Sequence, residues 1–292
     1  MDLSWVTTFI AAAETGSFRR AADLLYISQP TVTVHIRQLE KETGASLFER
    51  GGRKVELTEE GRRYLEHCRK LLAVHQESLE DLQSFSQGFT SSLKIAISPL
   101  IADTILPYVL KSYIKQHPQV EISVMIADSS DIEGAVSKGE VDIGLSCLPA
   151  AGPQMISELL YNDRVMLVAG HDGKDSESAP PLDEEEILLS AYLLTHNHPG
   201  YWDELCRAVK IRYPRVKMMR VSQTHITKRF IAEGLGVSFL PESTVRRELL
   251  EGRLLEVECR NIQLPEAATY AIMRYSHSKQ REFLSFLSNY RI

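Results

Sequence analysis

Apolar residues recur at helical spacing along the first sixty positions and are interrupted at short intervals. Leu3, Val6, Phe9, Ile10 and Ala13 form one stripe, which Gly16-Ser17 ends, and Ser17 is placed to cap the next helix. Phe18, Ala21, Ala22 and Leu25 form a second, shorter stripe whose paired alanines let a neighbouring helix pack closely. After a break at Tyr26-Ile27, Ser28 can cap a third helix that runs to about Thr43. Pro30 falls in its first turn, where a missing N–H costs nothing. Val32, Ile36 and Leu39 point inward; Pro30, Val34, Arg37 and Lys41 lie opposite, with Thr33 on the flank. Leu47-Phe48-Glu49-Arg50, Gly51-Gly52 and Arg53-Lys54-Val55-Glu56-Leu57 then read as a hairpin turning on two glycines.

The next pattern is long. Thr58 is a good N-cap, and Glu59 and Glu60 complement the helix dipole. Gly61, Leu65, Cys68, Leu72, His75, Leu79, Leu82 and Ser86 alternate steps of four and three, a heptad seam ending near Gly88. Leu71 and Phe85 widen the stripe. Such a helix is roughly 40 Å long, more than a small domain needs internally, so its seam predicts pairing with a second copy. Cys68 and His75 read as packing residues within it.

Beyond Gly88 short apolar strands alternate with helices. Strands are expected at 93–97, 120–127, 141–145, 165–169, 192–195, 216–221, 237–240 and 268–274. Helices are expected at 101–116, 131–138 and 278–289, with others opening near Tyr201 and Thr224. This rhythm implies parallel sheets with right-handed crossovers. The fold class is therefore α/β. It comprises a winged helix-turn-helix at 1–58, a linker helix at 59–88 and a two-lobed, periplasmic-binding-protein-like body at 89–292. Lobe I takes about 89–161 and 266–292, and lobe II about 162–265.

Composition changes this picture little. With 43% hydrophobic and 25% charged residues, the chain has a globular balance, and no run reaches the roughly 18 apolar residues of a membrane span. Its N-terminus does not read as a signal peptide, which places the protein in the cytoplasm. Four scattered cysteines carry no metal or disulfide pattern. Charge is more telling: residues 1–58 hold seven basic and seven acidic side chains, so the net −6 belongs to the rest. A neutral head on an acidic body fits local, geometric contact with DNA better than general adhesion.

The outer face of the third helix carries the chemistry for such contact. Ser28, Gln29, Thr31, Thr33 and Arg37 can exchange hydrogen bonds with base edges or phosphates, and Pro30 and Val34 can touch thymine methyls. Arg50, Arg53 and Lys54 at the hairpin tip can meet phosphates or an adjacent minor groove. Double-stranded operator DNA is the expected partner.

The run from Phe18-Arg19-Arg20-Ala21-Ala22 through Ser28-Gln29-Pro30-Thr31-Val32-Thr33 to Arg37-Gln38-Leu39-Glu40 strongly resembles the head of LysR-type transcriptional regulators. So do Leu47-Phe48-Glu49-Arg50 and Leu57-Thr58-Glu59-Glu60-Gly61. Val34-His35 departs from the polar pair that many members carry there. The resemblance implies a linker helix that pairs the heads, a homodimer or homotetramer, and a small-molecule effector held between two lobes. By matching position the effector residues are Ser98, Leu100, Ser129, Thr195, His196, Thr224, His225 and Thr227. The stretches 97–104, 194–199 and 223–230 are most similar to family members governing a citrate synthase gene, which implies a central-metabolism target and a di- or tricarboxylate effector.

The residues support an anion site independently. Strand ends in open α/β sheets face the ligand, and here they carry Ser98, Ser129-Ser130 and Thr224-His225 at helix starts. His196, Asn197 and His198 add nitrogen donors, and Lys228 and Arg229 lie one turn into the next helix. Two alternatives stay open: a binding module without gene regulation, and an enzyme using His196, His198 or His225. No nucleophile elbow or paired-carboxylate motif supports the enzyme. The His196/His198 pair lacks an assured third metal ligand. Gly234-Leu235-Gly236 follows a helix, the reverse of phosphate-loop order, so no cofactor is expected.

Overall fold

The computed structural model describes residues 2–49, 55–104, 106–171, 173 and 182–290. The chain forms two compact units, Met1–Gly88 and Phe89–Ile292.

In the first unit, α1 (Leu3–Thr15), α2 (Phe18–Leu25) and α3 (Gln29–Thr43) coincide with the three apolar stripes. Ser17 and Ser28 each accept a first-turn amide, and Gly16 and Gly44 close α1 and α3 in the left-handed region. Between α2 and α3 that conformation falls to Tyr26 (φ 54°), whose ring is exposed. Val6, Phe9, Ala12, Ala21, Val32, Leu39 and Leu47 make the core. Glu49 N donates to Glu56 O (2.8 Å) and Thr58 N to Leu47 O (3.1 Å), antiparallel pairing on both flanks of the expected hairpin. Its tip residues Arg50, Arg53 and Lys54 lie outside the described residues.

Helix α4 (Glu59–Ser86) begins where Thr58 Oγ1 accepts from Gly61 N at 2.9 Å. A Cβ on Gly61 would stand 2.1 Å from the Leu47 carbonyl oxygen, so only glycine lets α4 approach the hairpin this closely. The seam then divides. Gly61 and Cys68 are buried against the head, whereas Leu79 and Leu82 are exposed, as are Val74 and Phe85 beside them. His75 is exposed as well.

The second unit holds β1 (Ser91–Ile97), α5 (Pro99–Ala102), α6 (Leu106–Gln116), β2 (Val120–Ile126), α7 (Ser129–Lys138), β3 (Ile143–Ser146) and β4 (Ile156–Gly170). It continues with α8 (Glu184–Ser190), β5 (Tyr192–Thr195), α9 (Trp202–Arg212), β6 (Lys217–Arg220), α10 (Thr224–Ala232) and β7 (Gly236–Pro241). Then come α11 (Glu242–Leu250), β8 (Leu254–Val257), β9 (Glu266–Met273) and α12 (Ser278–Ser288). Strand order is β2-β1-β3-β9-β4-β7-β5-β6, with β8 paired to β4. The β1–β2, β1–β3, β5–β6 and β5–β7 pairings are parallel. Strands β4 and β9 run antiparallel and join two sheets with separate cores, one centred on Ile95, Ile143 and Phe283, the other on Leu167, Leu193 and Phe239. The body is thus two-lobed and α/β.

Two differences from the sequence pattern have physical causes. The expected helix over 101–116 is broken, because Pro107 in the second position of α6 cannot donate and would clash with the carbonyl four residues back. Strand β4 begins at Ile156, well before the apolar run, since its first half is exposed and held by backbone pairing to β9.

Candidate functional site

On the first unit, α3 presents its outer face to solvent. Ser28 Oγ accepts from Thr31 N (3.3 Å) and lies 2.8 Å from Thr31 Oγ1, fixing the helix start. Gln29, Pro30, Val34 and Arg37 are exposed, and Thr31 and Thr33 are half-buried. A groove of about 770 Å³ beside this face is lined by Phe18, Thr33, Arg37, Lys41 and Glu49. Glu40 Oε1 accepts from Leu47 N (2.8 Å) and Phe48 N (3.4 Å), tying the hairpin to α3. His35 turns inward, its Nδ1 2.9 Å from Thr8 Oγ1, and so fastens α3 to α1. The exposed outer face of α3 thus offers hydrogen-bonding and apolar groups of the kinds that base edges in a major groove take.

On the second unit, a cavity of about 260 Å³ opens between the lobes. Lobe I contributes Ser98, Leu100, Ser129 and Cys147; lobe II contributes His196, His198 and Thr224. Two helices start at it from opposite sides. The N-cap residues of α7 and α10, Asp128 and Gln223, make no side-chain cap hydrogen bond, so first-turn amides are left for another acceptor. By contrast Ser98 caps its own short helix, accepting from Ile101 N at 3.4 Å. Asp128 brings one exposed carboxylate to the rim, where water screens it.

His198 is the most informative wall residue. It is 4% exposed and stacked on Tyr201 with ring centroids 4.3 Å apart. Its Nδ1 accepts from Gly200 N at 3.0 Å, which puts the proton of the neutral ring on Nε2. Nε2 is buried and has no hydrogen-bond partner among the described residues. Burial pulls the imidazole down to about 4, so it stays a neutral donor at physiological pH. Beside it the Cys147 thiol is pushed up by burial despite hydrogen bonds to Ser98 and Ser129.

Asn197 holds this loop. Its Nδ2 donates to Ser238 Oγ (2.9 Å), its Oδ1 accepts from Trp202 Nε1 (3.0 Å), and its carbonyl accepts from Thr224 Oγ1 (2.9 Å). The preceding His196 adopts a left-handed φ of 66°, unusual for a residue with a side chain and the kind of strain found at ligand sites.

Four expected effector residues are not brought to the cavity wall. Thr195 is buried, hydrogen-bonding Met219 O and His196 Nδ1. Thr227 is fully buried and donates to Gln223 O. His225 and Arg229 are exposed. At about 100° per residue, only one edge of α10 can face the cavity, and Thr224 occupies it. Asp128 and Cys147 also line the cavity, and nothing in the local sequence pattern marks them; Pro199 and Gln223 join them from the stretches 194–199 and 223–230. Among the described residues no group of three His, Cys, Asp or Glu side chains could hold a metal ion.

Known proteins match over the whole chain. Residues 3–62 match the bacterial regulatory helix-turn-helix protein, lysR family, and residues 86–291 match the LysR substrate binding domain. The chain is 48% identical over 290 residues to the HTH-type transcriptional regulator CitR of Bacillus subtilis (strain 168), covering 99% of each. It is 36% identical over 291 residues to the uncharacterized HTH-type transcriptional regulator YxjO of the same organism, covering 99% of this chain and 98% of that one. Among solved structures, full-length CbnR complexed with its target DNA has a TM-score of 0.68 at 19% identity, covering 99% of both chains. Vibrio fischeri DarR in complex with DNA has a TM-score of 0.66 at 21% identity, covering 100% of this chain and 99% of that one. These two likenesses establish the shared fold.

Proposed function

Since the chain belongs to the LysR family of DNA-binding transcriptional regulators, we propose that it reads its operator with α3, pairs through α4 and answers to a small carboxylate bound between its lobes. The family and the relatives named are regulators, not enzymes.

The observation that carries the effector assignment is His198, a wall residue of a polar cavity whose buried Nε2 has no hydrogen-bond partner among the described residues. An unmet buried donor costs free energy, and a carboxylate oxygen would meet it. The amides opening α7 and α10 supply further donors from opposite lobes, which favours a compact acid with more than one carboxylate. Parts of all three stretches resembling the citrate synthase regulators, 97–104, 194–199 and 223–230, line this one cavity. That convergence supports a di- or tricarboxylate effector and a citrate synthase or related central-metabolism gene as target. A ligand held by both lobes favours one lobe arrangement over another, which is the energetic requirement for passing a signal to the heads.

The DNA-reading residues are Ser28, Gln29, Pro30, Thr31, Thr33, Val34 and Arg37, with the hairpin residues Arg50, Arg53 and Lys54 on the backbone. Pairing rests on Leu79, Leu82 and Phe85, apolar and exposed along the second half of α4. Arg37→Ala tests the assignment in a gel shift at fixed salt. Loss of a base contact of about 1–3 kcal/mol lowers specific affinity by roughly 5- to 150-fold and leaves non-specific binding nearly intact. Unaltered operator affinity would remove Arg37 from the reading face.

A further inference from the structure

Behind the cavity wall a second polar cluster links the lobes through Lys228, which is 9% exposed and lies one turn past Thr224 in α10. Its Nζ forms ion pairs with Asp103 Oδ2 (2.7 Å) and Glu248 Oε1 (2.9 Å) and donates a hydrogen bond to the Thr244 carbonyl (2.9 Å). Two carboxylates already face this ammonium group and it is nearly buried, so its charge is matched without a ligand. Lys228 is therefore excluded from the anion site beside it, and its role must be sought in what it joins.

Glu248 and Thr244 sit in α11 of the same lobe as Lys228. Asp103 belongs to the other lobe, at the end of the short helix α5 whose Ser98 and Leu100 line the cavity. The Lys228–Asp103 bond thus fastens α5 to α10 immediately behind the residues that face each other across the cavity. Its two ends differ in exposure. The Lys228 and Glu248 side chains are 10% and 14% exposed, whereas that of Asp103 is 40% exposed. When the lobes part, Asp103 can rehydrate, while Lys228 keeps Glu248 and Thr244. No bare buried charge results, so the cost of breaking the link is that of a partly exposed pair and not that of a buried one. The link can make and break reversibly.

We propose that Lys228 and Asp103 form a cross-lobe tie, positioning residues that hold the two cavity walls at ligand-binding spacing. The tie stands on its own contacts; its consequence for effector binding rests on the proposed carboxylate site between the lobes. Asp103→Ala cuts it cleanly, because the Lys228–Glu248–Thr244 cluster within lobe II is left whole.

The test is hydrogen–deuterium exchange of the ligand-free full chain, measured in peptides covering 98–104 and 224–232. Asp103→Ala speeds exchange there by about tenfold, equivalent to about 1.4 kcal/mol, while exchange in β1 and β7 and the melting temperature stay near wild type. Asp103→Glu restores slow exchange. Equal rates in wild type and Asp103→Ala would overturn the tie. Faster exchange throughout both lobes would do the same, since it would mark a merely structural role. Titration with citrate separates the two readings: a roughly tenfold weaker affinity in Asp103→Ala is expected. If citrate binds neither protein, citrate as effector fails, and the exchange data alone decide the tie.

Discussion

Replacing His198 with Gln should flatten one segment of the stability–pH curve, by an amount the structure sets. The imidazole is 4% exposed and is held down to about 4 by desolvation, against roughly 6.5 when unfolded. The folded value is depressed, so the unfolded chain binds this proton first as pH falls. The associated stability is complete above about pH 6.5 and is lost as pH falls toward 4. Over that window, the shift is worth about 2.5 kcal/mol by pH 4.5, a large share of a typical 5–15 kcal/mol total. Gln cannot titrate, yet it offers an acceptor for Gly200 N and a donor in place of Nε2. Urea unfolding of both proteins from pH 7.5 to 4.5 gives the comparison, because other titrating groups contribute equally and cancel. The wild type should lose about 2–3 kcal/mol more than His198→Gln across the window. Parallel curves would show that the folded and unfolded chains bind this proton alike and would refute the depressed value of the buried ring.

Three other perturbations probe separate parts of the geometry. Leu82→Glu puts a charge on the exposed half of α4, where Leu82 is 65% exposed; if the chain pairs through this face, as proposed, wild type sediments as an oligomer and the variant as a monomer, and equal masses for the two would contradict the pairing. Gly61→Ala drives a Cβ to 2.1 Å from the Leu47 carbonyl oxygen and should lower stability by about 1–3 kcal/mol in urea unfolding; an unchanged midpoint would refute the close approach. Asn197→Ala strands Trp202 Nε1 in the core of lobe II and removes the donor to Ser238 Oγ, at a cost of about 2–3 kcal/mol read from the melting temperature. A wild-type melting temperature would contradict the anchoring role.

The head was readable because its information is local. Apolar periodicity located α1 to α3, and Ser17, Ser28 and Thr58 each accept the first-turn amide that their position implies. The seam of α4 was readable as a pattern but not as two environments, since burial of Gly61 depends on Leu47 and Leu57 brought back against it and that of Cys68 on the core of the head. In the body, serines and threonines at helix starts pointed to the cavity, yet their side chains divide by helix phase. Thr224 faces the cavity, Thr227 turns into the core, and His225 and Arg229 face solvent. Asn197 is fixed by Ser238, 41 residues away in sequence. Cys147 reaches the cavity because β3 is registered beside β1. Such long-range pairings leave no trace in the spacing of one chain. The Lys228–Asp103 contact is of the same kind, with partners in different lobes.

The central claim, an anion held between the lobes at His198, is tested most directly by melting temperature against a panel of small di- and tricarboxylates. Wild type and His198→Leu are run side by side at pH 7.5. A ligand that binds only the folded chain contributes about 2.7 kcal/mol at roughly a hundredfold excess over Kd. For a body of this size that raises Tm by about 5–10 °C. At least one acid should produce this rise in the wild type, and His198→Leu should lose most of it. If no acid raises Tm, or if His198→Leu responds as the wild type does, the cavity is not the effector site.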